Sequence, residues 1–193
     1  ARTTTSSNSG VVLTVTDEAN AVDVNSSIVV STLARGQAVS FDLTNNGFSN
    51  AFSNSSSRTA SSSIDQGTMV FTLGSTATTI TIDSTNNTLQ GLVDEVNNIT
   101  GLQATLIDTD GSGSLSLSIR SDTGANNSFS ISSGSGDLSA FNTGDYSNAW
   151  VTRQTTAADA SFTVDGVTVT RSSNTITDLF AGHTINLTAA DSS

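Results

Sequence analysis

The chain has no cysteine, no lysine and a single histidine, His183, among its 193 residues. Without cysteine there is no disulfide, no cysteine-ligated zinc and no thiol nucleophile. The six cations are all arginine and stand against 17 acidic residues, for a formal net charge of −11. They form no basic patch, so nucleic acid and anionic membranes are poor partners. The acidity itself reads first as a source of solubility. No apolar run approaches the ~18 residues of a membrane-spanning helix. No cleaved signal-peptide pattern is present either.

What is abundant is small and polar. Serine and threonine make up about a third of the chain, with many Asn, Asp and Gly residues. The apolar residues fall in short alternating runs, the pattern of strands with one face buried. Their periodicity argues against disorder. The expected class is therefore mainly β, between all-β and α+β, turn-rich and extracellular. The length suits one large domain or two small ones.

Strands are predicted at Val11 to Val15, Ser27 to Val30 and Val39 to Leu43. Asn45 to Ser63 is almost wholly small and polar and reads as a linker or exposed loop, with Phe48 and Phe52 as half-buried rings. Met69, Phe71 and Leu73 alternate, as do Ile80 and Ile82 beyond Gly74, which makes a hairpin. One helix is predicted, from about 88 to 99. Thr88 is its N-cap, and Leu89, Leu92, Val93, Val96 and Ile99 form its apolar stripe. Asn97, Asn98 and Gly101 supply the stop. Further strands follow at Leu102 to Ile107, Ser114 to Ile119 and Ser128 to Ile131. Gly134 to Asn148 reads as a return linker.

The stretch Ala160 to Leu187 carries the strongest local signals. Asp165-Gly166 lies between two alternating runs and specifies a two-residue hairpin loop. Val164 then pairs with Val167 and Phe162 with Val169, all on one face, with Thr163 and Thr168 on the other. In Asn174 to Gly182, Ile176, Leu179 and Phe180 are spaced for one helical turn stopped by Gly182.

Reactive chemistry finds little support. Asp108-Thr-Asp-Gly-Ser-Gly resembles the start of a calcium loop, but the twelfth position, which needs a bidentate acid, is Ile119. Asp110-Gly111 reads better as a turn, and no metal or cofactor is expected. His183 has no nucleophile elbow to serve and reads as a structural histidine at the start of a strand. The adjacent pairs Asp94-Glu95 and Asp17-Glu18 have no reason to share a cleft, as glycoside hydrolysis requires. Tyr146 and Trp150 could stack on a sugar, although buried hinge residues are the plainer reading. The triplets Asn25 to Ser27 and Asn186 to Thr188 follow from composition. An extracellular hydrolase ranks last, and the chain is expected not to be an enzyme.

The residues Ala160, Phe162, Val164, Asp165, Gly166, Val167, Val169, Arg171, Ser173, Asn174, Ile176, Asp178, Gly182, Thr184 and Leu187 match a run that resembles the bacterial flagellar filament cap, or hook-associated protein 2, family. His183 and Ile185 are mild departures from that run. Ile28, Val30, Leu33 and Ala34 resemble the family's looser amino-terminal motif. Val96-Asn97, Ala104 and the strand Leu115 to Ile119 resemble the hook IN motif of flagellins and hook-associated proteins. The resemblance implies two small antiparallel β-rich head domains. The first is discontinuous, from 1–47 and 149–193; the second, 64–140, is inserted in it and carries the helix; 48–63 and 141–148 are linkers. It further implies a structural role at the filament tip, where a homo-oligomeric ring promotes flagellin polymerisation and prevents loss of exported monomers. Flagellin and a second copy are then the partners, and export needs no cleaved signal. The alternative is an adhesin-type module binding host glycans or mucin.

Overall fold

In the computed structural model, residues 5–45, 48, 58–134, 136–144 and 146–191 are described. Their strands divide between two compact units.

The first unit comprises Ala1–Arg35, Thr123–Asn126 and Ala157–Ser193. It holds two three-stranded sheets. In one, β13 (His183–Leu187) lies between β1 (Val11–Val15) and β12 (Thr175–Ile176). In the other, β10 (Ala160–Val164) lies between β11 (Val167–Arg171) and β2 (Ile28–Thr32). All pairs are antiparallel. Alternation puts Val11, Ile185, Leu187 and Ile176 of the first sheet into one core with Val30, Ala160 and Phe162 of the second. Short strands of this kind gain stability by sharing a core, since an isolated three-stranded ribbon buries one face only.

The second unit comprises Gly36–Asp122 and Asn127–Thr156. Its larger sheet has the order β6 (Leu102–Asp108), β7 (Leu115–Ser121), β3 (Ala38–Asp42), β9 (Val151–Thr155). The smaller sheet has β4 (Gly67–Leu73) between β5 (Thr76–Ile82) and β8 (Phe129–Ser132). Helix α1 (Leu89–Asn97) packs on β6 and β5. Its full stripe is buried, Ile99 included. Burial of each such side chain contributes about 1.5–3 kcal/mol, which fixes the packing face.

The start of α1 shows how a polar loop earns its place in a fold. Thr88 Oγ1 accepts from Gly91 N at 3.0 Å. Leu89 N and Gln90 N donate to the carbonyls of Ser62 and Ala60 at 3.0 and 2.8 Å. Three of the four orphan donors of the first turn are thus satisfied. Residues 58–63, expected within a linker, are therefore a helix cap; most of the remainder of that stretch, with Phe52, lies outside the described residues.

Three further expectations are corrected. The unit boundary lies at Arg35/Gly36 and at Thr156/Ala157 instead of 47 and 149. The reason is β9, unforeseen in the sequence, which pairs with β3, while β3 also pairs with β7. Both strands thereby belong to the second unit. The expected return linker contains a 3₁₀ helix, Gly136–Phe141, with Leu138 and Phe141 buried. Phe141, Phe41 and Phe48 meet edge-on or tilted at 4.9 to 6.5 Å, so Phe48 is a core ring and not a half-buried one.

Candidate functional site

The hairpin at Asp165-Gly166 forms in the predicted register. Both turn residues have positive φ, +49° and +83°, as a type I′ turn requires. Asp165 does more than turn the chain. Its Oδ1 accepts from Ser27 N at 2.8 Å, and its own N–H donates to Ser27 O at 2.9 Å, tying the turn to the entry of β2. Along the hairpin Phe162 is fully buried, whereas Val167 is 67% exposed. The apolar face thus runs past the core at the turn end.

The segment from Asn174 does not form the expected helical turn. Thr175 and Ile176 become β12, and Ile176 pairs with Ile185 and enters the core. Two tertiary contacts take the backbone and side chain that a helix would need. Leu187 N donates to Asn174 O at 2.8 Å. The Asn174 amide clamps Ala34, accepting from its N–H at 2.7 Å and donating to its carbonyl at 3.0 Å. Gly182 stops the segment as expected, but as a turn residue at φ +73° whose carbonyl accepts from Thr16 N and Asp17 N. Arg171 and Asp178 of the same run are brought together as an ion pair, Nη2 to Oδ2 at 3.0 Å. The hydrogen bond from Arg171 holds the Asp178 carboxyl below its ordinary range.

The amide clamp recurs. Asn97 accepts from Ala104 N at 2.8 Å and donates to Ala104 O at 3.2 Å. Gln37, 3% exposed, does the same to Phe129 at 3.1 and 2.7 Å. Asn142 bridges Ser133 at 2.6 and 3.3 Å. In each case a side-chain amide presents the donor and acceptor that a neighbouring strand would present, and satisfies both polar groups of one residue. The clamp joins Asn97, a helix-stop residue in the sequence, to Ala104, the small residue of the following strand. Nothing in local periodicity marks Gln37 or Asn142, whose partners lie in other elements.

The remaining candidate residues have structural roles. Asp108 Oδ1 accepts from Asp110 N and Gly111 N, and Oδ2 from Gly113 N. Asp110 accepts from Ser112 N, Ser114 N and Ser114 Oγ. These bonds hold the Asp110 carboxyl down at about 2. The acids of the calcium-like loop thus face their own backbone. His183 is buried at the start of β13, its Nδ1 2.9 Å from Ala181 O. Asp17 caps Ala19 and Asn20, Asp94 accepts from Gln90, and Glu95 accepts from Asn86. Trp150 donates to Ala140 O, and the Arg153 guanidinium lies 4.7 Å from the centre of the Tyr146 ring. No helix among the described residues is long and apolar enough to cross a membrane.

Residues 157–193 match the family profile of the flagellar hook-associated protein 2 carboxy terminus. The chain is similar to the flagellar cap protein FliD D2–D3 domains from Escherichia coli, with 26% identity, TM-score 0.74, and coverage of 98% of this chain and 93% of that one. It is similar to the D1–D2–D3 form from the same organism at 27% identity and TM-score 0.73, covering 98% of this chain and 53% of that one. FliD (HAP2) from Pseudomonas aeruginosa PAO1 matches at 25% identity and TM-score 0.66, over 94% of this chain and 79% of that one. No curated protein sequence matches the chain. The chain thus resembles the flagellar cap protein FliD D2–D3 domains along almost its whole length, with the family's carboxy-terminal profile in residues 157–193.

Proposed function

We propose that this chain is the head region of a flagellar filament cap that promotes flagellin polymerisation at the filament tip and keeps exported monomers from being lost. The observation that carries this reading is the signature from Ala160 to Leu187. Its matched residues include the turn, the ion pair and the clamp on Ala34 of the amino-terminal motif. They build one unit of a fold shared along almost the whole chain with the flagellar cap domains. Flagellin and further copies of the cap are the partners in this reading, and the work is steric, with no bond made or broken. A low-charge, hydroxyl-rich β surface suits contacts that must form and release, because such interfaces hold through water and weak hydrogen bonds.

The test is a chimera. The D2–D3 region of the Escherichia coli cap is replaced by this chain in a strain lacking its own cap gene, and filament length and secreted flagellin are measured. Restored filaments support the reading. Secreted flagellin and bare hooks, with the chimera exported and folded, would contradict it.

A further inference from the structure

Among the described residues four sheets leave eight edge strands, and several of these edges are blunted by side chains. Asp191 Oδ2 accepts from Val30 N on β2 at 2.6 Å. Thr143 takes both polar groups of Ile131 on β8. Arg171 Nη1 donates to Thr170 O on β11, and Asn86 Nδ2 to Thr81 O on β5. The outer edge of β6 is blunted at one end only. Asn97 occupies Ala104. In an antiparallel ladder alternate residues direct their main-chain groups to opposite sides. The same edge as Ala104 is therefore used by Leu106 and Asp108, two and four residues on. The pair Thr109 N to Ser114 O at 2.8 Å, at the hairpin end, fixes this phase.

A groove follows this edge. It is lined by Asn97, Gln103, Thr105, Ile107 and Arg120, with Ala104 and Leu102 on its wall. Ile107 is 46% exposed there. Arg120, one strand further in, extends over Gln103, donating to Oε1 from Nε at 2.8 Å and from Nη2. Among the described residues it forms no ion pair with a carboxylate. Beside the unpaired backbone of Leu106 and Asp108, the groove thus offers an apolar side chain, Ile107, and a cation, Arg120, held by Gln103.

We propose that the β6 edge from Leu106 to Asp108 takes an extended segment of another polypeptide as an added strand, with a carboxylate of that segment meeting Arg120. The Asn97 amide already stands where a peptide group of such a strand would stand, and it sets where pairing ends. Main-chain bonds give the affinity, and Ile107 and Arg120 select side chains on alternate positions. This inference is independent of the cap reading.

The test uses the 193-residue chain and a capped strand peptide of about eight residues, alternating Thr and Val with one central Glu, beside its Lys counterpart. Amide exchange and NMR shifts are read at each residue. The expected result is protection of Leu106 and Asp108, with shifts at Ile107 and Arg120. The Glu peptide is expected to bind about tenfold more tightly than the Lys peptide, the size of one charge-assisted hydrogen bond. Arg120→Gln should abolish that preference and keep the protection; Ile107→Lys should weaken both peptides. Protection or shifts centred on another edge would overturn the proposal. So would unchanged exchange at Leu106 under saturating peptide. Concentration-dependent protection of Leu106 without peptide would overturn it too, assigning the edge to a second copy.

Discussion

At the residue scale, the side-chain amides carry much of the fold's specificity. Gln37 is almost fully buried, so Gln37→Ala leaves the N–H and carbonyl of Phe129 without their partner inside the core. Each such group costs about 1–3 kcal/mol. Asn97 is exposed, and water can replace it at Ala104, so Asn97→Ala should cost about 1 kcal/mol. Urea unfolding of both variants should give that order, with Gln37→Ala the less stable. Asp110 gives a pH prediction. Its carboxylate is favoured in the fold by the Ser114 hydroxyl first, then by the Ser112 and Ser114 amides. A carboxyl depressed on folding stabilises above its unfolded value and loses that contribution as pH falls through the folded one. The Asp110 carboxyl should titrate near 2 instead of 3.8. The amide signals of Ser112 and Ser114 should move with it between those values, and a midpoint near 3.8 would refute the loop geometry.

At the scale of elements, the two turns of the signature differ in what a methyl group would meet. At Gly166 the added Cβ meets nothing within 4 Å, so only the positive φ opposes it. Gly166→Ala should cost about 1–2 kcal/mol. At Gly182 the same atom would lie 2.5 Å from backbone atoms of Ala21 and Asp17. Backbone cannot swing away as a side-chain tip can, so Gly182→Ala should lower the melting temperature by clearly more. Equal effects would mean that the loop over Gly182 is not packed as described. The contrast also explains what the sequence revealed. The hairpin and α1 are local patterns whose partners are near in the chain, and both are legible in the sequence. Residues 174–180 also carry a helical spacing, yet Ile176 lies opposite Ile185 and Asn174 holds Ala34, 140 residues away. Tertiary pairing overrode the local period there. Strand β9, VTRQT, has a single apolar residue, and its place beside β3 was invisible without that partner.

At the scale of the whole molecule, each unit holds its own core. Among the described residues the first has eight buried apolar residues in its cluster, including Phe162 on the central strand of a three-stranded sheet. Phe162→Ala should cost about 3–5 kcal/mol, a large share of what a domain of this size holds. Hydrogen exchange should then show β10 and β13 losing protection while α1 keeps it. Loss of protection in α1 to the same extent would mean that the units fold as one. The cap-related features divide between the units, with the Ala160–Leu187 signature in the first and the Asn97–Ala104 clamp in the second. No catalytic constellation is needed to explain either. The most direct measurement is deletion of the gene in its own bacterium, followed by assay of flagellin in the medium and of filaments on the cells. The account predicts unpolymerised flagellin in the medium and bare or stub filaments, both restored by the full-length gene. Normal filaments and motility after deletion would contradict it.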